Sequence, residues 1–165
     1  MTGATMLPEF DHEMATTRRL LERVDAERFD WKPHARSFSL GELAIHLAQV
    51  PGWAEVTLTT EELDVGQDFP APEIEGTEDL LALFDEKVER ARELLAEASG
   101  EDLMVPWSLV MDGEPTFTMP RAAVLRTWVL NHAIHHRGQL SVYLRLLDIP
   151  VPSMYGPSAD EGGPA

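Results

Sequence analysis

Three of the six histidines lie within five residues of one another, at positions 132, 135 and 136. On a helix, His132 and His136 are four residues apart, so their imidazoles lie on one face about one turn apart. At this spacing a single helix provides two nitrogen ligands to one metal ion. His135 reaches that face only through its three-residue spacing from His132. We therefore prefer His132 with His136 as the ligand pair, and His132 with His135 is the alternative.

A catalytic metal ion needs a third protein ligand and an open coordination position. His46 is the best candidate, because it lies among apolar residues 43–48 of a predicted helix that a bundle core can bring opposite the first pair. His12 and His34 stand near charged residues, and we expect them to be exposed. A single histidine on an apolar helical face is usually a hydrogen-bonded core residue. A plain bundle with core histidines and no metal is therefore the alternative.

Several polar and aromatic side chains near these histidines are candidates for holding the imidazoles or lining a pocket. Amide side chains next to a ligand commonly fix its tautomer by hydrogen bonding. Aromatic residues at helical spacing belong more often to a core than to a substrate site. No catalytic side chain is identified, and a metal-bound water or thiolate is expected in that role. The candidates are Gln49, Trp53, Trp128, Asn131, His135, Gln139 and Tyr143.

Four stretches with helical periodicity must position these side chains. Ser39 followed by Glu42 is a capping box, which predicts the start of the second helix. Pro51 interrupts that helix and predicts a kink. The fold class that follows is all-α, a four-helix bundle. The predicted helices cover about 8–28, 39–62, 77–98 and 120–147.

Two connections and the C-terminal segment complete the predicted organisation. Residues 63–76 are too long for a tight turn and predict a crossover between helices 2 and 3. Residues 103–119 predict a short β-like hairpin before helix 4, because Asp112-Gly113 separates two β-like runs. We expect a single domain over residues 1–150. Residues 151–165 form a Pro-, Gly- and Ser-rich tail whose end we expect to fray.

Composition excludes several classes of function. The chain has 165 residues and a formal net charge of −16, which opposes binding to nucleic acid and to anionic membranes. Most of this charge lies between residues 61 and 104, away from the histidines. There is no cysteine, so disulfides, cysteine-ligated zinc and iron–sulfur clusters are excluded. Neither a signal peptide nor a membrane span is visible, and we expect a cytoplasmic protein.

Two motifs resemble those of the DinB-like (YfiT-like) proteins, a family of metal-dependent helical bundles. The first is Leu-Ala-Ile-His-Leu-Ala at residues 43–48, with Trp53. The second is Asn-His-Ala-Ile-His-His-Arg-Gly-Gln-Leu at residues 131–140, followed by a Pro-Val-Pro exit at 150–152. The resemblance implies an up-down-down-up bundle and a homodimer. It also implies a divalent metal site made of His46, His132 and His136.

The resemblance further implies metal-dependent thiol chemistry on a small-molecule substrate. The predicted function is S-transfer of a low-molecular-weight thiol such as bacillithiol, which must arrive as a cosubstrate because the chain has no cysteine. Three imidazoles without cysteine favour zinc or nickel. One alternative is a hydrolase that uses metal-bound hydroxide. The other is a non-catalytic, stress-related metal-binding or scaffold protein.

Overall fold

The computed structural model describes residues 2–67 and 70–162, which are mostly helical with one small sheet. The sequence predicts that the first helix extends to residue 28, but it ends at Leu21. Asp25 then caps a separate 3-10 turn by accepting a hydrogen bond from the amide of Glu27. The helices are α1 (Leu7–Leu21), α2 (Leu40–Gln49), α3 (Trp53–Thr59), α4 (Thr77–Glu97), α5 (Arg121–Val124) and α6 (His132–Leu146).

Ser39 and Pro51 delimit the helix that carries His46. The hydroxyl of Ser39 accepts from the amide of Glu42 at 3.1 Å, and the Glu42 carboxylate accepts from the amide of Ser39 at 2.7 Å. The predicted capping box is therefore confirmed. Because Pro51 has no N–H, α2 ends at Gln49 and the chain passes through a 3-10 turn before α3. The predicted kink divides the second helix in two.

Ion pairs and close contacts between the helices establish their directions. α1 runs parallel to α6 and antiparallel to α4, while α2 and α3 run parallel to α4. These directions are what an up-down-down-up order requires, with the long connection joining the two parallel middle helices. The contacts are Glu9 with Arg126, Glu13 with Arg137, Gly3 with Ala98, Gly52 with Lys87 and Glu55 with Arg90.

A three-stranded sheet lies beside the bundle, and two of its strands form the predicted hairpin. The turn residues Asp112 and Gly113 have φ values of 52° and 82°, the positive values that a two-residue hairpin turn requires. These two strands are antiparallel, and the third pairs with the central one in parallel. The strands are β1 (Glu62–Asp64), β2 (Pro106–Met111) and β3 (Glu114–Pro120), in the order β1-β2-β3.

The prediction of an all-α fold was wrong because it did not include β1. This three-residue strand comes from an acidic connection without the alternating pattern that indicates a strand. It is stabilised by tertiary contacts instead. β1 pairs along the edge of β2, and the carboxylate of Asp64 accepts from the amides of Asp112 and Gly113 at 3.1 Å and 3.0 Å. Within the predicted crossover, residues 68 and 69 lie outside the described residues.

The tail packs on the bundle over residues 151–162. Val151 is buried, Arg145 of α6 pairs with Asp160, and Arg19 of α1 pairs with Glu161 at 2.5 Å. Residues 163–165, where fraying is expected, lie outside the described residues. The division of the chain at residue 150 stays a prediction. None of the helices in the described part of the chain is both long enough and apolar enough to cross a membrane.

Candidate metal centre

His46 lies in the last turn of α2, where its side chain is half-buried. Its neighbours Leu43, Ala44 and Leu47 are buried almost completely, so they anchor α2 in the core. The carbonyl of His46 accepts from the amide of Val50, the residue with which the 3-10 turn begins. The position of the imidazole is thus set by the packed part of α2 and by the end that the following proline imposes.

A π-helical segment precedes the two other histidines. It covers Leu125–Asn131, between α5 and α6, and His132 is the first residue of α6. π-Helical turns are rare, and they occur frequently at functional sites. The segment is anchored by buried apolar residues, among them Leu125, Val129 and Leu130. Because the winding is wider than in an α-helix, the segment changes the rotation of Trp128 relative to the histidines of α6.

The structure brings His46, His132 and His136 together into a group that could hold a metal ion. One nitrogen of each imidazole lies within 4.8 Å of the other two, and the Nε2 atoms of His46 and His132 are 3.0 Å apart. Nitrogens bound to one tetrahedral zinc ion at about 2.0–2.1 Å lie about 3.3 Å from each other. That spacing falls inside the observed range, so the donor set fits a single ion.

Gln139 holds the imidazole of His136. The Nδ1 atom of His136 and the Oε1 atom of Gln139 are 2.7 Å apart. With this oxygen as acceptor, Nδ1 carries the proton and Nε2 keeps its lone pair for a ligand. The predicted role of Gln139 beside a metal ligand therefore has a hydrogen bond to support it.

Burial keeps the three imidazoles neutral. Burial, together with the nearby His136, His46 and His135, lowers the pKa of His132 to about 4. Burial also lowers the pKa of His46 and of His136, although the hydrogen bond that His136 donates to Gln139 partly offsets the decrease for His136. Neutral imidazole is the form that binds a metal ion. The group therefore does not have to lose protons before it binds a cation at neutral pH.

An open cleft lies beside the histidines and gives the group access to solvent. Its volume is about 410 Å³. The ring of Trp128 lies 5.6 Å from that of His132, and it is stacked with Trp53 at 5.8 Å and with Phe117 at 5.5 Å. One side of the cleft is thus a fixed aromatic surface. The lining residues are Thr127, Trp128, Asn131, His132, His135 and His136.

The remaining predicted residues lie at different distances from the group. His135 is exposed and lines the cleft, but the convergent nitrogens include His136 and not His135. Tyr143 lies further along α6, where its ring meets Trp31 edge-on at 5.6 Å. Gln49 is half-buried at the end of α2 and makes no hydrogen bond to a histidine among the described residues. His12 and His34 are exposed, as predicted.

Phe38 is a neighbour of the group that the sequence reasoning missed. Its side chain is 50% exposed, and its ring lies 6.0 Å from that of His46. The hydroxyl of Tyr143 donates to the carbonyl of Phe38 at 3.2 Å. A signal was present, because an apolar residue directly before a capping serine often packs against the first turn of the helix.

Arg137, next to His136 in the chain, lies in a different environment. Its side chain is 1% exposed, and its guanidinium donates to the carboxylate of Glu13 at 2.5 Å and to the hydroxyl of Tyr155. The hydroxyl of Tyr155 in turn donates to the Glu13 carboxylate at 2.7 Å. This network, which we call the Arg137 network, is buried at Arg137 and Glu13, reaches the surface at Tyr155, and joins α1, α6 and the tail.

Comparison with known proteins agrees with this architecture. A family model described as "DinB family" matches residues 1–163. The chain is 23% identical over 160 residues to the uncharacterized protein YrdA of Bacillus subtilis (strain 168), covering 94% of this chain and 89% of that protein. A crystal structure of a DinB-like protein from Bacillus cereus ATCC 10987 is similar with a TM-score of 0.70 and 23% identity, covering 91% of this chain and 95% of the other. A DinB-like protein from Bacillus subtilis, YjoA, matches with a TM-score of 0.69 and 20% identity, over 96% and 99% of the two chains.

Proposed function

The chain belongs to the DinB family, and on this premise we propose that it is a metal-dependent transferase of a low-molecular-weight thiol. The observation that supports this proposal is the convergence of three neutral imidazoles, within 4.8 Å of one another, beside an open cleft. In the proposal, His46, His132 and His136 are the metal ligands. Three nitrogens and no sulfur favour zinc or nickel.

The residues of the chain have distinct tasks in this proposal. A divalent cation in the group would lower the pKa of a thiol or water bound to it and so supply a nucleophile near neutral pH. His46 and His132 bring ligand nitrogens from two different helices to one point. Gln139 keeps the proton of His136 on Nδ1, which leaves Nε2 to bind. Trp128 limits the approach of water from one side of the cleft.

The thiol has to be a second substrate. The chain has no cysteine, so no side chain can supply the sulfur. In the transfer, the thiol sulfur forms a bond to an electrophilic carbon of the substrate, and the bond from that carbon to the leaving group breaks with its electron pair on the leaving group. The thiol proton passes to the leaving group or to solvent.

Thiol consumption by metal-loaded protein tests the proposal. A panel of small thiols that includes bacillithiol is mixed with a neutral alkylating electrophile, and loss of free thiol is followed. We expect acceleration by the wild-type chain and by His12→Ala, whose histidine is exposed and remote, but not by His132→Ala. A wild-type rate equal to that of His132→Ala would refute thiol transfer. Hydrolysis of an ester without added thiol would favour the hydrolase.

A second copy of the chain on the exposed side of α6 is the partner in this proposal. Gly138 is exposed, and a Cβ atom built on it meets no atom of the described residues within 4 Å. A glycine inside a helix costs about 1 kcal/mol relative to alanine. Val142 and Leu146, four and eight residues later, are 56% and 59% exposed. Light scattering should report a dimer for the wild-type chain and a monomer for Val142→Glu, and a wild-type monomer would contradict the dimer.

A further inference from the structure

Four aromatic rings form a row across the candidate metal centre. The ring of Phe38 lies 6.0 Å from that of His46, which lies 5.1 Å from that of His132, which lies 5.6 Å from that of Trp128. The two ends of the row are therefore carbon rings, and its middle is the pair of imidazoles. Trp128 belongs to the lining of the cleft, and Phe38 lies next to His46 at the other end of the row.

Both end rings are held in place by other contacts. Trp128 is stacked with Trp53, at an interplanar angle of 17°, and with Phe117, at 15°. Phe38 is tied through its backbone, because its carbonyl accepts from the hydroxyl of Tyr143. Its side chain is nonetheless half exposed, although it is a large apolar group. Phe38 thus presents apolar surface directly beside His46.

Among the residues that the structure describes, the cleft lining is also free of formal charge. Its six lining side chains comprise a tryptophan, a threonine, an asparagine and three histidines, and none is acidic, lysine or arginine. In the whole chain, by contrast, 25% of the residues are charged and the net charge is −16. A substrate that carried a charge away from the histidines would therefore find no counter-charge in this lining and would lose part of its hydration.

We propose that the cleft binds an uncharged aromatic group of the electrophilic substrate, with Phe38 and Trp128 as the residues that determine this specificity. The inference rests on the proposed function in one respect, namely that the bound molecule is the acceptor of the thiol. The recognition itself needs only the two rings and the uncharged lining. Offset stacking and edge contacts with aromatic rings give preference to a planar ligand over a saturated one.

Equilibrium dialysis with two matched probes tests the inference. The probes are 1-naphthol, which is neutral, and 1-naphthylmethylammonium, which is cationic, and both are measured with metal-free and with zinc-loaded protein. We expect 1-naphthol to bind, and to bind about three- to tenfold more weakly to Phe38→Leu and to Trp128→Leu. Met104→Ala, which removes a 64% exposed side chain elsewhere, should leave the affinity unchanged.

The outcomes separate this inference from the proposed function. Unchanged 1-naphthol affinity in both leucine variants would overturn it, whatever the metal content of the protein. Tighter binding of the cationic probe would overturn the claim that the group is uncharged. Failure of zinc to bind, with the 1-naphthol affinity still dependent on Phe38 and Trp128, would refute the proposed function and leave the binding site in place. Circular dichroism checks that Trp128→Leu is folded, and Phe38→Leu changes an exposed side chain.

Discussion

His136 and Arg137 are consecutive residues of α6, yet their side chains lie in two opposite kinds of polar surroundings. Arg137 is 1% exposed, and its partners Glu13 and Tyr155 belong to the same chain. His136 is half-buried beside a cleft, and the Nε2 atoms of its neighbours His46 and His132 face each other at 3.0 Å. The polar group on one side of α6 therefore has its hydrogen-bond partners within the chain. The other side presents imidazole nitrogens that lie close to the nitrogen of His46.

This difference separates structure from function on one helix. A buried charge is tolerated when its hydrogen bonds are complete, and removing one partner is then costly. The Arg137 network meets that condition within the fold. When two neutral imidazoles face each other through their Nε2 atoms, a single proton between them allows one hydrogen bond. That one hydrogen bond contributes little to stability. A cation bound by all three would give one nitrogen of each imidazole a partner. We therefore expect substitutions on the two sides to change different measurable quantities.

The largest effect on stability should come from Arg137→Met. The variant leaves the Glu13 carboxylate buried without its counter-charge, and we expect the free energy of unfolding to fall by about 3–5 kcal/mol. Arg145→Met is the matched control on the same helix, because Arg145 pairs with Asp160 at the surface, and it should cost much less. Urea denaturation measures both. An equal loss of unfolding free energy in the two variants would show that the Arg137 network does not stabilise the fold more than a surface ion pair does.

Gln139→Met should change metal affinity rather than stability. Loss of the hydrogen bond to His136 removes the group that fixes its tautomer, and such losses weaken metal binding about 10- to 100-fold. Because Gln139 is exposed, we expect the unfolding free energy to change by no more than about 0.5 kcal/mol. Calorimetric zinc titration measures the affinity, with Gln49→Met as the amide control. If Gln49→Met weakened zinc binding as much, the assignment of Gln139 would be wrong.

Removing a single hydroxyl from each side of α6 should have a smaller effect. Tyr155→Phe removes a group that joins Arg137 to Glu13, and we expect a loss of about 1 kcal/mol in unfolding free energy. Tyr143→Phe removes a bond to the exposed carbonyl of Phe38 and should cost less. Thermal unfolding compares the two variants. A larger loss of unfolding free energy in Tyr143→Phe than in Tyr155→Phe would contradict this prediction.

The pH dependence of the metal-free protein should also report on the histidine side of α6. The pKa of His132 is about 4 in the folded chain against an ordinary value of 6.5, so the unfolded chain binds this proton first as the pH falls. Its contribution to stability is therefore complete above pH 6.5 and is lost as the pH falls towards 4. His132→Asn should show a shallower decline over this range in urea midpoints. If the urea midpoints of the two proteins fell in parallel as the pH is lowered, the lowered pKa of His132 would be excluded.

Local signals in the sequence predicted much of the bundle and the histidine grouping. The four-residue spacing of His132 and His136, the capping box at Ser39 and the Asp112-Gly113 turn depend on neighbouring residues, so they can be identified without tertiary information. The partner His46 followed from its place on an apolar helix. The structure shows the three histidines together, and their ligation of a metal remains a proposal.

The features that were missed depend on contacts distant in the chain. β1 is a strand because the edge of β2 and the turn at residues 112–113 are beside it. Arg137 is buried because Glu13, 124 residues earlier, provides a carboxylate. The π-helical winding before His132 leaves no periodic signal different from that of an ordinary helix. Such features follow from packing, which overrides local propensity.

The metal content of tag-free protein tests the central claim most directly. Elemental analysis of the wild-type chain, purified without a metal-affinity step and dialysed against zinc, should give one divalent ion per chain. His132→Ala should retain none, and His12→Ala should retain the wild-type amount. A wild-type chain without bound metal, or a His132→Ala chain that keeps its ion, would contradict the account.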